Sequence, residues 1–288
     1  MIESFNAHRG QLFGIAYRML GSVAEADDLV QETWLRWQKQ DLEKVSSPKA
    51  WLIATITRLC IDQLRSARRQ REEYYGVWLP EPLVENAPAS PENSAMLAES
   101  LTMAFMLLLE TLDPVERAVF VLREVFDYDY ADIAAIVGKS EANCRQIVRR
   151  SKLQLATPPV ATTPSEAARR VVEKFMAAAA GGEVRDLLAL LTADATLYSD
   201  GGGRVSAAGR PIHSADHISR FFVGIRDRQP AAVALRFVAI NGRPGVLMSS
   251  GGHIFNAVSF DLDGERVRAI YIVRNPEKLK HLPPVASN

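Results

Sequence analysis

The chain has 288 residues, 48% apolar and 24% charged, with 34 basic and 34 acidic residues and therefore no net charge. That length suits two or three domains, each able to bury its own core, and the composition excludes a disordered or fibrous chain. No run of about 18 apolar residues occurs, so no membrane-spanning helix is expected, and the N-terminus lacks the charged-then-apolar order of an export signal.

Cys60 and Cys144 are too few and too isolated for a disulfide framework or a Cys-rich zinc site. Both fall on apolar helix stripes, where a free Cys behaves as a small hydrophobe. A reducing cytoplasm is the expected location.

The first strongly patterned element runs from about Ala26 to Trp37. Ala26, Val30, Thr33, Trp34 and Trp37 share one stripe, while Asp28, Gln31, Glu32 and Leu35 share the opposite face. Taken alone, that second face reads as an ordinary solvated acidic surface. The next helix opens with Ser47 as cap and Pro48 at its first position. Ile53, Ile56, Cys60 and Leu64 form its buried stripe. Its other side carries Thr55, Arg58, Asp62, Arg65 and Arg69, with Arg68 and Arg71 beside them. Asp62 can pair with Arg58 or Arg65, but so dense an arginine strip exceeds what solubility needs and suggests a nucleic-acid backbone partner.

Residues 74–93 carry Pro80, Pro82, Pro88 and Pro91 and cannot continue a helix. Trp78 lies in this stretch, apolar and expected to be exposed unless another surface covers it. A second break, Thr157 to Pro164, is an extended linker by composition.

Between the breaks, Tyr130, Ile133, Ala134 and Val137 make one apolar helix stripe. Gly138 suits the left-handed C-terminal position, and Ser140 suits the N-cap of a following helix. In that second helix Cys144, Ile147 and Val148 face inward. Arg145, Gln146 and Arg149 face outward, flanked by Arg150 and Lys152. This is the layout of a helix-turn-helix whose second helix enters the major groove; an ordinary helical hairpin is the plainer alternative. Residues 1–160 hold 18 basic and 22 acidic residues, a net of −4, so such a module should bind DNA weakly without help.

After the second break, one or two helices precede strand-like runs at Ala232–Ile240, Gly245–Ser250, Ile254–Leu262 and Val267–Val273. Asn241-Gly242, Gly251-Gly252 and Asp263-Gly264 separate them as turns.

These pieces together resemble an extracytoplasmic-function (ECF) RNA polymerase sigma factor. Glu25-Ala-Asp-Asp-Leu-Val-Gln-Glu-Thr-Trp-Leu-Arg-Trp37 is similar to the segment by which that family's first domain grips the polymerase clamp. Ala50-Trp-Leu and Asp62-Gln-Leu-Arg-Ser-Ala-Arg-Arg69 resemble the segment that opens and holds the −10 element. Leu112-Asp-Pro-Val-Glu-Arg-Ala-Val-Phe-Val-Leu122 and the helix-turn-helix resemble the domain that rests on the polymerase flap and reads the −35 element. Trp78-Leu-Pro-Glu-Pro82, Asp200-Gly-Gly-Gly-Arg204 and Asn275-Pro-Glu-Lys-Leu279 resemble three signatures of the ECF41-type, SigJ-like group, which carries a C-terminal SnoaL-like (NTF2-like) domain. Arg204 stands where Lys is common, and Thr57-Arg58 where Arg-Asn is frequent.

The resemblance implies a multidomain fold: two all-α sigma domains, the second with the helix-turn-helix, then an α+β SnoaL-like (NTF2-like) cone with a curved antiparallel sheet. The expected domains are a region 2 module at 1–71, a linker at 72–95, a region 4 module at 96–157, a linker at 158–164 and the regulatory domain at 165–285. It implies a polymerase face of Asp28, Gln31, Glu32 and Leu35, and a −10 strip of Arg58, Arg65, Arg68 and Arg69. For the −35 element, Arg145, Gln146 and Arg149 suit base edges, while Ser140, Asn143, Arg150 and Lys152 suit phosphates. The loop from Lys39 to Ser47 is the expected pocket for a flipped −10 base, although it holds no aromatic residue.

Trp78, Leu79, Pro80, Glu81 and Pro82, with Asp200, Gly201, Gly202 and Gly203 and with Asn275, Pro276, Glu277, Lys278 and Leu279, form the implied regulatory set. The third domain is expected to dock on the linker and the first domain. Core RNA polymerase and promoter DNA are the implied partners, without a membrane, cofactor or metal, and an unknown small-molecule ligand is the further partner considered.

Rival readings are weaker. Catalysis in the third domain would draw on Asp200, His213, His217, His253 and Tyr271, but His213 and His217 lack a third metal ligand. Gly138-Lys-Ser140 is not a phosphate loop, since Ile133 stands at the first glycine position. Gly201-Gly-Gly203 lacks the strand–turn–helix of a dinucleotide site. A dimeric helix-turn-helix repressor would leave the acidic face and arginine strip unexplained.

Overall fold

The computed structural model describes residues 1–72, 74–84, 100–155, 165–230 and 232–283, and the side chains of 42, 67–72 and 165 fall outside that description. The chain forms two compact units, one of Met1–Glu73 with Glu92–Thr157, the other of Tyr74–Pro91 with Pro158–Asn288.

The first unit is helical. Helices α1 (Ile2–Leu20), α2 (Val23–Gln38) and α3 (Pro48–Glu72) bundle around Leu12, Ile15, Tyr17, Trp37, Ile53, Ile56, Cys60 and Leu64. The stripe on α3 repeats at three and four residues, which puts its apolar groups on one face. Ser22 caps α2, its hydroxyl accepting from the Glu25 N–H at 3.2 Å, and Ser47 does the same for α3, accepting from the Ala50 N–H at 3.3 Å. Burial drives the Cys60 thiol well above its usual pKa, so this sulfur is a packing group.

The same unit continues with α4 (Met103–Leu109), then α5 (Pro114–Phe120), which ends in a π-helical turn at Val121–Val125. Asp113 and Glu116 cap α5 reciprocally, and Pro114 sits in its first turn. Helices α6 (Tyr130–Val137) and α7 (Glu141–Gln154) follow. Two arginines tie α1 to the later part of this unit. Arg117 donates to the Met19 carbonyl at 2.6 Å and to Glu110 at 2.7 Å, and Arg18 donates to Ser100 at 2.8 Å. Burial lowers the Arg18 pKa to about 10, still charged at neutral pH.

The second unit is α+β. Helices α8 (Ser165–Gly181) and α9 (Val184–Leu190) lead into β1 (Leu191–Asp200) and the short β2 (Ile212–His213). Then come α10 (Ala215–Ile225), β3 (Ala234–Ile240), β4 (Arg243–Ser250), β5 (His253–Asp263) and β6 (Arg266–Val273). The sheet order is β2-β1-β6-β5-β4-β3. Four of the strands fall where alternation and turns place them. The sheet is mixed rather than wholly antiparallel, because β1, reached through helices, pairs parallel with β6. Register shifts in β4–β5 and β5–β6 mark bulges, which bend the strands around the helices. Phe175 of α8 packs edge-on against Phe260 and Phe222 at 5.5 and 5.2 Å.

Candidate functional site

In the second unit the three signatures meet on one buried carboxylate. Asp200 ends β1 with no solvent exposure. Its Oδ1 accepts from the Tyr74 hydroxyl at 2.6 Å and the Gly202 N–H at 2.9 Å. Its Oδ2 accepts from the Leu79 N–H at 2.9 Å and Lys278 Nζ at 2.7 Å. A carboxylate offers about four lone-pair sites, so Asp200 is saturated and no lone pair remains for proton abstraction. Its backbone carbonyl also accepts from the Arg274 and Asn275 N–H groups at 2.7 and 3.0 Å.

Lys278, almost as buried, donates a second bond to the Leu79 carbonyl and lies over the Trp78 ring at 4.2 Å and the Tyr74 ring at 5.1 Å. Trp78 is half-buried and Leu79, Pro80, Glu81 and Pro82 are buried, so the apolar segment that reads as exposed is covered. Asn275 donates to the Tyr74 oxygen at 3.0 Å, and its Oδ1 caps the 3-10 turn Pro276–Leu279 at the Glu277 N–H. Burial first, then the Asp200 contact, raise the Tyr74 pKa.

The glycines are required here by space. Gly202 has φ +60, and a Cβ on it would lie 2.2 Å from Asn275 Nδ2; one on Gly201 would lie 2.3 Å from the Val205 carbonyl. Arg204 faces Glu277 at 3.8 Å across the surface, a weak pair.

Tyr74, Asn241 and His281 also hold the segment, and sequence reasoning did not name them as site residues. Buried Asn241, at φ +52 in its turn, accepts from the Leu83 N–H at 2.9 Å through its side chain. It also donates its own N–H to the Leu83 carbonyl at 2.8 Å. Val84 bridges Ile240 antiparallel, and His281 sits 2.9 Å from the Pro82 carbonyl. The Asn-Gly turn signal was legible; that its Asn would hold a segment 158 residues away was not.

Of the rival residues, His213 and His217 come together, with His217 Nδ1 3.1 Å from the His213 carbonyl, but no third ligand joins them among the described residues. His213 lies in β2, His217 in the first turn of α10 and His253 at the start of β5, while Tyr271 donates to Asp261 at 3.0 Å. No group of His, Cys, Asp or Glu that could hold a metal ion occurs among the described residues. No helix of the described residues is long and apolar enough to cross a membrane.

In the first unit, Gly138 ends α6 at φ 68 and the Ser140 hydroxyl caps α7 at the Asn143 N–H. Cys144, Ile147 and Val148 are buried, whereas Asn143, Arg145, Gln146 and Arg149 are exposed. The outer residues differ in what they hold. Arg145 pairs with Glu141 at 2.7 Å and stacks on Tyr130 at 4.9 Å. Arg150 pairs with Glu116, and Lys152 with Glu124 at 2.6 Å. Those two cations therefore brace α7 on α5 and its π turn. Arg149 has no ion pair among the described residues.

Asp28, Gln31 and Leu35 are exposed on α2, and Glu32 pairs with Arg36 at 2.7 Å. On α3, Arg65 lies 3.7 Å from Asp62. The Arg68 and Arg69 side chains lie outside the described residues, as does the 158–164 linker. Arg58 is engaged elsewhere: Nε donates to the Ile136 carbonyl and Nη2 to the Ala135 carbonyl, both at 3.0 Å. These are orphan carbonyls at the C-terminus of α6, where a cation is favoured. Arg58 also lines a recess of about 330 Å³ with Arg36, Lys39, Gln40, Trp51 and Thr55. Trp51, in the first turn of α3, is the aromatic residue of that recess.

Residues 5–70 match the family profile of Sigma-70 region 2, and residues 102–155 that of Sigma-70 region 4. The chain is 34% identical to the ECF RNA polymerase sigma factor SigJ of Mycobacterium tuberculosis, over 98% of this chain and 94% of that protein. It is 27% identical to a probable ECF RNA polymerase sigma factor, SigI, of the same species, over 97% and 94%. A crystal structure of M. tuberculosis SigJ superposes with a TM-score of 0.75 at 31% identity, covering 97% of this chain and 98% of that one. With both sigma regions present in order and the relationship extending through the C-terminal domain, the chain belongs to the ECF RNA polymerase sigma factors, the transcription initiation factors that direct the polymerase to promoters.

Proposed function

We propose that this sigma factor engages core RNA polymerase and promoter DNA in the cytoplasm under control of its own C-terminal domain, which acts as a clamp on the inter-domain linker. The observation that carries this reading is Asp200, whose carboxylate takes two of its four hydrogen bonds from Tyr74 and Leu79. Residues 74–84 are the chain between the −10-reading and −35-reading modules. Anchoring them limits where those modules can go.

The DNA-reading roles follow from exposure and charge. Arg145, Gln146 and Arg149 read −35 base edges, with Ser140 and Asn143 at the phosphate entry of α7. Arg58, Arg65, Arg68 and Arg69 track the melted −10 strand, and the recess floored by Trp51 takes an unstacked base. Asp28, Gln31, Glu32 and Leu35 face the polymerase.

The engagement of Arg58 by α6 defines a resting form. Promoter elements centred near −10 and −35 lie roughly 80 Å apart on straight duplex at 3.4 Å per base pair. Modules joined by a 3.0 Å hydrogen bond cannot read both at once. The polymerase must separate them, which suits a module of net charge −4 that needs its help to bind DNA.

The test is run-off transcription on genomic DNA fragments with core polymerase, comparing the unaltered chain with Lys278→Met and Trp78→Ala. Altered output with unchanged polymerase affinity is expected from both variants; identical transcripts at identical yield would refute the clamp.

A further inference from the structure

The concave face of the C-terminal sheet encloses a cavity of about 470 Å³, within the range of small-molecule sites. Its walls are apolar, with Phe221, Phe222 and Ile225 of α10 facing Met248, Val258 and Phe260 of the sheet. One end differs. The pairing of β1, β6, β5 and β4 brings Ser199, Arg274 and Asn256 together there on a single face.

These three groups are mostly donors without adequate acceptors. Arg274 Nε donates to Asn256 Oδ1 at 3.0 Å, and Nη1 to the Ser206 carbonyl at 2.7 Å. Its Nη2 has no hydrogen bond among the described residues. With Asn256 Oδ1 occupied, its Nδ2 reaches only the Met248 sulfur at 3.5 Å, a weak acceptor. Ser199, 2% exposed, makes no side-chain hydrogen bond among the described residues. The guanidinium is only partly buried in an otherwise apolar wall, and that burial lowers the Arg274 pKa. Such an arrangement favours an incoming anion.

We propose that this cavity binds an apolar molecule bearing one carboxylate, the carboxylate seated on Arg274 and Asn256 and the apolar body against α10. The planar fork of Arg274 suits the two oxygens of that head group. Asp200 has no such role, since its acceptor sites are filled. Occupancy is transmitted to the clamp by the shortest available route: the Arg274 N–H is bonded to the Asp200 carbonyl, and Asn275 and Lys278 follow within four residues. This regulatory half rests on the clamp reading above; the binding half does not.

The probe is decanoate below its micellar concentration, with decanol as the uncharged control, titrated calorimetrically into the full chain. Decanoate should bind one to one and at least tenfold more tightly than decanol. Arg274→Met should erase that preference, and Met248→Trp, which fills the cavity, should abolish both. Absence of decanoate binding, equal binding of the two probes to the unaltered protein, or binding undiminished in Met248→Trp overturns the site. Hydrogen exchange at the Leu79 amide, bonded to Asp200, reads the coupling and should slow at least threefold with decanoate. Binding without that slowing overturns the coupling alone. A Leu79 amide already unprotected in the free protein refutes the clamp instead.

Discussion

A buried charge is tolerable only when the sites on it are used, and Asp200 meets that condition with four accepted bonds, three of them from residues distant in sequence. Removing the cation alone would leave a buried carboxylate with three neutral donors. Breaking a buried pair in this way typically costs about 3–5 kcal/mol. Lys278→Met should therefore destabilise the second unit by about that amount in urea denaturation, whereas the double change Asp200→Asn with Lys278→Met should cost clearly less. Equal losses would show that the charge itself is unimportant.

Tyr74 gives a second residue-scale handle. Its pKa is raised by burial and then by Asp200. An unfolded tyrosine ionises near pH 10, so the stabilisation is fully present below that pH and is lost as pH rises toward the folded value. Between about pH 9 and 11, stability should fall less steeply in Tyr74→Phe than in the unaltered protein. The comparison with the variant separates Tyr74 from Tyr128, Tyr198 and Tyr271, which are raised as well.

Single elements divide cleanly into those that local chemistry specifies and those that distance specifies. Helix α7 belongs to the first kind: its inward stripe and outward cations lie within its fourteen residues, and its cap Ser140 immediately precedes them. Strands β3 to β6 alternate and end at Gly-containing turns, so their positions were readable. Strand β1 was missed because it follows α9 without a break and its partner β6 lies about 75 residues later. The clamp was half legible. Its three motifs could be quoted from the sequence, but Tyr74, Asn241 and His281 are ordinary residues until the fold brings them to the linker.

The same distinction predicts different consequences along α7. Arg150 and Lys152 brace the helix on α5 and its π turn, while Arg149 has no such duty. Arg149→Ala should weaken polymerase-dependent promoter binding by about 1–3 kcal/mol, roughly five- to 150-fold, with the melting temperature unchanged. Arg150→Ala should lower the melting temperature as well. A melting shift from Arg149→Ala as large as that from Arg150→Ala would remove the distinction.

At the scale of the whole molecule, chain order and structural grouping disagree. Residues 74–84 follow α3 directly, yet they fold with the C-terminal domain. Three kinds of contact hold them there: the Asp200 carboxylate, the backbone bridge of Val84 with Ile240, and the paired bonds of Leu83 with Asn241. Local stability follows contacts rather than sequence neighbours, so this segment should open with the C-terminal domain and not with α3. In native-state hydrogen exchange, the Leu79 and Leu83 amides should share the opening free energy of the central strands β5 and β6. Lys278→Met should lower the protection of Leu79 by the same free energy that it removes from β6, and should leave the α3 amides untouched. A Leu79 amide that instead tracks α3 would mean that the linker belongs energetically to the sigma module, and the C-terminal domain would then have no hold on how the two DNA-reading modules are presented.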